Sequence, residues 1–173
     1  GGAGSSTRAF VAGYSGPIAN NIDYGLFATK GNHADFGNLT VARDKIGSLS
    51  NNTRACFLGG RGSSSSPESL QNVIDYITIA TAGNATDFGD LQGNQNILTG
   101  LSSPTRGVFA GGNQSPTDRI DYVTIASTGN SADFGNLSTG GNGPAGTGSS
   151  TRGLFQGRGT PTRLNLVDYI TIA

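Results

Sequence analysis

The sequence predicts an all-β protein of the β-propeller type, built from repeated units of three to four antiparallel strands. Three observations carry this prediction: a fourfold internal repeat, short β-branched and aromatic runs with a period of two, and no apolar pattern of helical period over ten residues. The repeat starts recur after 46, 52 and 46 residues. A unit of this length with four short strands fits one propeller blade.

The repeat begins with a Thr-Arg pair, and the four pairs stand at 7–8, 53–54, 105–106 and 151–152. An Ile/Val-Asp-Tyr triplet follows each pair, at 22–24, 74–76, 120–122 and 167–169. An Asp-Phe-Gly-Asn/Asp-Leu block follows the first three triplets, at 35–39, 87–91 and 133–137. We therefore expect one repeat domain over residues 1–173, with units of about 5–50, 51–102, 103–148 and 149–173, the last incomplete.

The third unit shows the predicted elements in order. Gly107–Ala110 is a short apolar strand that ends at a double glycine, and a polar turn follows it. Residues 120–127 alternate with apolar side chains on both faces, which predicts a buried strand. Residues 132–137 form a further short strand. The remaining stretch is variable: Thr40–Ser50 in the first unit can hold another strand, whereas the glycine-rich Ser138–Ser150 predicts a flexible loop.

Two other architectures remain open at this stage. A β-solenoid has shorter coils, of about 20–30 residues, so the long period favours the propeller. A stacked array of small β-modules is the other alternative. Three and a half units are marginal for a closed ring, because propellers have about 4–8 blades. The N-terminal residues can complete the last blade in the same chain, but we favour a contribution from outside these 173 residues, either from a longer chain or from a neighbouring subunit.

Composition and charge exclude several classes of function. The formal net charge is zero and only 13% of residues are charged, so a basic surface for nucleic acid is not expected. No apolar run approaches the about 18 residues of a membrane span. The sequence contains no Gly-x-Ser-x-Gly, His-Glu-x-x-His, P-loop, EF-hand or Cys/His cluster. We therefore predict no enzyme activity, no cofactor, no metal and no catalytic residue.

The repeated charges are the main candidates for chemistry. Each complete unit has one arginine and two aspartates at fixed places, namely Arg8/Asp23/Asp35, Arg54/Asp75/Asp87 and Arg106/Asp121/Asp133. Calcium ligands and paired catalytic carboxylates are alternatives. A structural role is favoured, because a contact that maintains the fold recurs in every unit whereas a site is asymmetric. An arginine fork can bridge two strands through carboxylate or carbonyl oxygens.

Single residues give weaker signals. Cys56 takes the place of Phe10, Val108 and Leu154 in the other units, which predicts a small core side chain. His33 lies in a turn, and we expect it to be exposed. The Asn-x-Ser/Thr sequons at Asn38, Asn51, Asn84, Asn113 and Asn136 leave glycosylation open.

The residues also carry a resemblance to known repeats. An apolar run before Gly59-Gly60 or Gly111-Gly112, then a tyrosine strand, then an aromatic residue and leucine, resembles the kelch pattern, with Phe36, Phe88 or Phe134 in place of tryptophan. Over essentially the whole chain, the repeat resembles repeats of marine bacteriophage virion structural and tail-fibre proteins. The resemblance lies in the pattern Thr-Arg-Gly-Val-Phe…Ile-Asp-Tyr-Val-Thr-Ile-Ala…Asp-Phe-Gly-Asn-Leu. This resemblance implies a structural or adhesive role on a virion or outside the cell.

We therefore expect a non-enzymatic module of a phage fibre, tail or capsid appendage. Its binding residues are unknown, but the loops that vary among units are the expected surface for host glycans, namely 14–21, 61–72, 113–119 and 158–165. The expected partners are further copies of the chain or other virion proteins. The alternative is a subunit of an extracellular filament or surface layer that assembles through edge strands.

Overall fold

The chain folds as an all-β protein whose four antiparallel sheets are the blades of a four-blade β-propeller. The computed structural model describes residues 1–62, 68–114, 118–159 and 163–172. This architecture confirms the predicted fold class and excludes the solenoid and the stacked array. The described ranges contain no helix, and therefore none of the length and apolarity that would span a membrane.

Fifteen strands build the four blades. Blade 1 contains β1 (Gly2–Gly4), β2 (Arg8–Ser15), β3 (Ile18–Leu26) and β4 (Ala34–Asn38). Blade 2 contains β5 (Gly47–Ser50), β6 (Arg54–Leu58), β7 (Val73–Thr78) and β8 (Thr86–Asp90). Blade 3 contains β9 (Leu98–Ser102), β10 (Arg106–Gly111), β11 (Arg119–Thr124) and β12 (Ala132–Asn136). Blade 4 contains β13 (Ala145–Gly148), β14 (Arg152–Arg158) and β15 (Leu164–Thr171).

Each strand pairs antiparallel with the next strand of its blade. The first strands of successive blades contact one another, which places β1, β5, β9 and β13 at the centre of the propeller. In every blade this first strand lies before the Thr-Arg pair. The sheets are therefore offset by one strand from the sequence period.

The blades stack through three apolar clusters, one at each boundary between consecutive blades. At the first boundary Phe10, Ile22 and Phe36 of blade 1 pack with Phe57 and Ile79 of blade 2, all at most 3% exposed. Blades 2 and 3 are covered on both faces. This explains why their strands have apolar residues at both odd and even positions.

The glycine-rich stretch before Thr151 does not form the flexible loop predicted for it. Residues 145–148 form β13, the central strand of blade 4. The cause is the close approach of the central strands. A Cβ at Gly146 would lie 2.3 Å from Cγ2 of Thr99, and one at Gly100 would lie 2.3 Å from the carbonyl oxygen of Ser48. Glycine at the centre is a packing requirement rather than a sign of a loop.

Candidate functional site

The repeated arginines join consecutive blades, and their partners are backbone carbonyls rather than the repeated aspartates. Each donates from Nη1 to the carbonyl of the residue directly after the third strand of the next blade. The three bonds are Arg8–Ile79 (2.6 Å), Arg54–Ile125 (3.0 Å) and Arg106–Ile172 (3.0 Å). Each guanidinium also lies over the tyrosine of its own triplet, 4.5–5.3 Å from the ring centroid. These arginines therefore belong to the scaffold.

The aspartate of the Ile/Val-Asp-Tyr triplet in blade 2, Asp75, is buried and paired at the boundary between blades 1 and 2. The side chains of Asp75 and Arg43 are both fully buried, and Nη2 of Arg43 lies 2.8 Å from Oδ2 of Asp75. Thr40 donates to the same carboxylate through its amide (3.0 Å) and its hydroxyl (2.6 Å). Arg43 also donates to the carbonyls of Phe57, Gly59 and Val73. Burial lowers the pKa of Arg43 although Asp75 opposes that shift.

The equivalent aspartates take their arginines from other places in the chain. Asp121 is met by Arg119 of its own strand at 2.9 Å, and Asp168 by Arg158 of the neighbouring strand. Burial raises the pKa of Asp121, and Arg119 offsets only part of that effect. One carboxylate oxygen of Asp121, Oδ1, is buried and has no hydrogen-bond partner among the described residues.

The second repeated aspartate has a local backbone role. Asp87 accepts a hydrogen bond from the amide of Gly89 (3.1 Å), and Asp133 accepts one from Gly135 (3.0 Å). Asp35 is exposed. Over the described residues, no group of three or more His, Cys, Asp or Glu side chains is placed to hold a metal ion. Asp87 and Asp133 therefore hold the local backbone of the Asp-Phe-Gly block in β8 and β12.

The single residues behave largely as predicted. Cys56 is fully buried in the cluster between blades 2 and 3, and burial raises its pKa to about 12, so it is a core side chain. His33 is exposed. Two sequon asparagines meet between blades, where the Asn38 amide donates to Oδ1 of Asn84. Asn51 caps its turn and donates to the carbonyl of Pro104 at 2.8 Å.

The predicted variable segments lie at one end of the propeller, together with the connectors between blades. The segment 14–21 is not a loop as predicted, because residues 14–15 and 18–21 belong to β2 and β3. A polar groove of about 600 Å³ opens at that end between blades 2 and 3. Its walls combine the two predicted loops 61–72 and 113–119 with the connector 92–95. The lining residues are Glu68, Leu70, Gln92, Gly93, Asn94, Gln95, Gln114 and Arg119. Residues 63–67, 115–117 and 160–162 of the predicted loops lie outside the described residues.

The walls of the groove are held by their own hydrogen bonds. Gln95 donates to the carbonyl of Gln114 (3.0 Å) and accepts from its amide (3.1 Å), which fixes the connector to the loop of blade 3. Arg61 bonds both Asp44 and Glu68, and its hydrogen bond lowers the pKa of Glu68. The groove is therefore built from fixed amides, a carboxylate and an arginine.

The buried carboxylate of Asp121 lies close to the groove and shares two neighbours with it. A void of about 10 Å³ lies between Leu91, Gln95, Arg119 and Asp121, and Gln95 and Arg119 also line the groove. This volume suits about one water-sized group. Sequence reasoning missed the connector 92–95 because it is not part of the repeated motif. The position of Gln95 gives the signal, since it matches that of Arg43 in the first connector.

Comparison with known proteins adds no relative. No protein-family model matches this sequence, and no curated protein matches it. The resemblance to kelch and phage repeats therefore rests on the repeated residues alone.

Proposed function

We propose that this chain is a non-enzymatic structural and adhesive module of a bacteriophage virion, part of a fibre, tail or capsid appendage. The module presents its groove between blades 2 and 3 to host-surface glycans. The wording of the repeat supports the virion assignment, and the geometry of the groove supports the adhesive role. The proposed location is the virion or the outside of the cell, and the proposed partners are copies of the chain or other virion proteins.

The observation that carries the adhesive role is the groove lined by amides and Arg119, which opens beside the buried carboxylate of Asp121. Its equivalent, Asp75, has both oxygens occupied by Thr40 and Arg43. A buried carboxylate oxygen without a donor is costly. Above it, the hydroxyls of a sugar in the groove can accept from Arg119 and bond the amides of Gln92 and Asn94.

The repeated charges support a non-enzymatic role. The recurring arginines, and the recurring aspartates Asp75 and Asp87, are occupied in contacts within or between blades. What remains at the groove is a set of hydrogen-bonding groups on loops held by a rigid scaffold, an arrangement typical of recognition surfaces.

A glycan array with the purified chain tests the adhesive role. A hit is then measured by calorimetry with the double variant Asn94→Ala/Gln114→Ala, which removes two exposed amides. Gln114 bonds Gln95 through its backbone, so the wall of the groove stays intact. We expect affinity to fall at least tenfold, because two hydrogen bonds of about 1 kcal/mol each are lost.

Asn52→Ala is the matched control, since Asn52 is an exposed amide in the turn at the opposite end of the blades. It should leave the affinity unchanged. An array without hits, or equal binding by the double variant, would remove the adhesive role. Gold-labelled antibody against the chain should mark phage particles in negative-stain images. Labelled filaments without capsids would instead favour the second candidate.

That second candidate is a subunit of an extracellular filament or surface layer that assembles through edge-strand exchange. One observation favours it. Strand β15 forms the outer edge of blade 4 in the described part of the chain, whereas β4, β8 and β12 cover the same edge in the other blades. An exposed strand edge is a template for pairing with another chain.

A further inference from the structure

The three boundaries between blades repeat one interface, and the chain carries its two halves once more, one on blade 1 and one on blade 4. Every boundary joins a donor face of one blade to an acceptor face of the next. In each blade, the donor face contains the first residue of the Ile/Val-Asp-Tyr triplet. It also contains the residue that pairs with the tyrosine of that triplet on the neighbouring strand. The acceptor face contains the residue that pairs with the aspartate of the triplet on the neighbouring strand. It also contains the residue that directly follows the third strand of the blade.

Register makes these positions equivalent in all four blades. The residues paired with the tyrosine are Phe10, Cys56, Val108 and Leu154. The residues paired with the aspartate are Val11, Phe57, Phe109 and Phe155. The residues after the third strand donate their amides to the threonine of the Thr-Arg pair, and they are Phe27, Ile79, Ile125 and Ile172.

Burial separates the internal faces from the two outer ones. On the donor side, Leu154 and Val167 of blade 4 are 38% and 53% exposed, whereas the equivalent residues of blades 1 to 3 are at most 2% exposed. On the acceptor side, Val11 and Phe27 of blade 1 are 38% and 66% exposed, whereas their equivalents in blades 2 to 4 are at most 3% exposed. Tyr169 extends the donor patch at 68% exposure.

The polar half of the interface is present on the same two faces. Arg152 lies over Tyr169 at 5.5 Å, in the arrangement that Arg8, Arg54 and Arg106 have. Those three arginines reach a carbonyl after the third strand of the next blade. The matching acceptor for Arg152 is the carbonyl of Phe27. Among the described residues, no hydrogen bond and no apolar cluster joins blade 4 to blade 1.

We propose that the donor face of blade 4 packs on the acceptor face of blade 1 in a second copy of this chain, with Arg152 of one copy donating to the carbonyl of Phe27 in the next. The occupant is a second copy because the two exposed faces are the two halves of an interface that this chain already forms three times. The zero net charge adds no long-range repulsion between copies.

This inference rests on the self-association proposed above and gives it a surface. The contact is heterologous, so it closes into a ring when the rotation between copies permits and extends into a filament when it does not. It differs from edge-strand exchange, because side chains of two sheet faces meet and no strand is donated.

The test uses the full chain in solution and two variants that each spoil one face. Phe27→Asp places a charge on the acceptor face, and Val167→Asp places one on the donor face. Sedimentation over a range of concentrations should show association of the unmodified chain and a monomer for each variant alone. An equimolar mixture of the two variants should recover a one-to-one complex, because each retains one intact face.

Two further variants complete the design. Arg152→Gln should weaken association about tenfold or more, since a hydrogen bond from a charged group is lost. Val41→Asp is the matched control, because Val41 is 39% exposed on the first connector and belongs to neither face. Its association should equal that of the unmodified chain. Unchanged melting temperatures establish that the variants fold.

Three outcomes overturn the inference. A chain that stays monomeric leaves the faces to further blades or another protein. Association that survives both face variants points to edge strands. A variant Val167→Asp that self-associates while Phe27→Asp does not indicates two acceptor faces meeting symmetrically. A chain that assembles as expected but binds no glycan keeps this inference and loses the adhesive role.

Discussion

The first and second blade boundaries share one scaffold and differ in what closes their loop end. At the first boundary Arg43 fills the space, pairs with Asp75 and satisfies three carbonyls. At the second, Gln95 stands in the matching position, turns to Gln114, and leaves a groove above Asp121. Different connector residues within a repeated frame thus separate a sealed boundary from a candidate site. Stability and recognition are placed at different boundaries of the same fold.

The largest expected effect follows from opening the sealed boundary. Arg43→Ala leaves a buried carboxylate at Asp75 without its cation, and such a loss costs about 3–5 kcal/mol. For a chain of this size, that corresponds to a fall of roughly 6–20 °C in melting temperature. Calorimetry or denaturant unfolding measures it. Gln95→Ala is the matched control at the open boundary and should cost clearly less, so equal losses would contradict the comparison.

The arginines shared by both boundaries should give equal and smaller effects. Arg8→Ala and Arg54→Ala each remove one charge-assisted hydrogen bond, worth about 1.5–3 kcal/mol, and one contact with a tyrosine ring. Both arginines are partly exposed, which keeps the loss below that for Arg43. Unfolding free energies of the two variants should agree within about 0.5 kcal/mol. A large difference would locate part of the contrast in these arginines instead of the connectors.

The repeat predicted most of the scaffold because each repeated residue has the same local task. Alternation on both faces predicted buried strands, and Phe10, Cys56 and Val108 lie in the clusters between blades. The arginine fork was correctly assigned to the scaffold, but its carbonyl acceptors lie about 70 residues away in the chain and have no sequence signature.

The site was harder to predict because it arises where the repeat fails. Loops 61–72 and 113–119 were identified by their variation, yet the connector that completes the groove was not. Arg43 was missed for a similar reason. Its role depends on burial against Asp75, which lies 32 residues further along the chain. No sequence pattern in the connector predicts that contact. The glycine-rich stretch gave the opposite error, because it predicted a loop whereas Gly146 and Gly148 lie in strand β13.

A variant that fills the groove tests the difference between the first and second blade boundaries directly. Gln95→Arg transfers the residue of the first connector to the second, where its guanidinium can occupy the groove floor beside Asp121. We expect glycan binding to be lost while the free energy of unfolding changes by no more than about 1–3 kcal/mol, the usual range for an enlarged side chain. The glycan that the unmodified chain binds serves as the probe. Gln114→Arg, at an exposed position of the opposite wall, controls for added charge.

Binding that survives Gln95→Arg would place the ligand elsewhere on the loop end. Binding lost equally in Gln114→Arg would indicate a charge effect instead of a filled floor.

The smallest expected effect is the pH dependence of Asp121. Because burial raises its pKa in the folded state, the folded chain binds its proton more tightly than the unfolded chain does. The contribution of Asp121 to stability therefore falls as pH rises from its unfolded pKa of about 3.9 through the raised value, and stays constant above it. Asp121→Asn removes this term. The difference in melting temperature between the unmodified chain and the variant should shift in favour of the variant as pH rises from about 3.5 to 7.

Taking that difference cancels the other carboxylates, including Glu68, whose lowered pKa acts in the opposite direction. A difference that is flat with pH would mean that Arg119 compensates the burial of Asp121 completely. The oxygen below the groove would then need no donor, and the second boundary would be as well satisfied as the first.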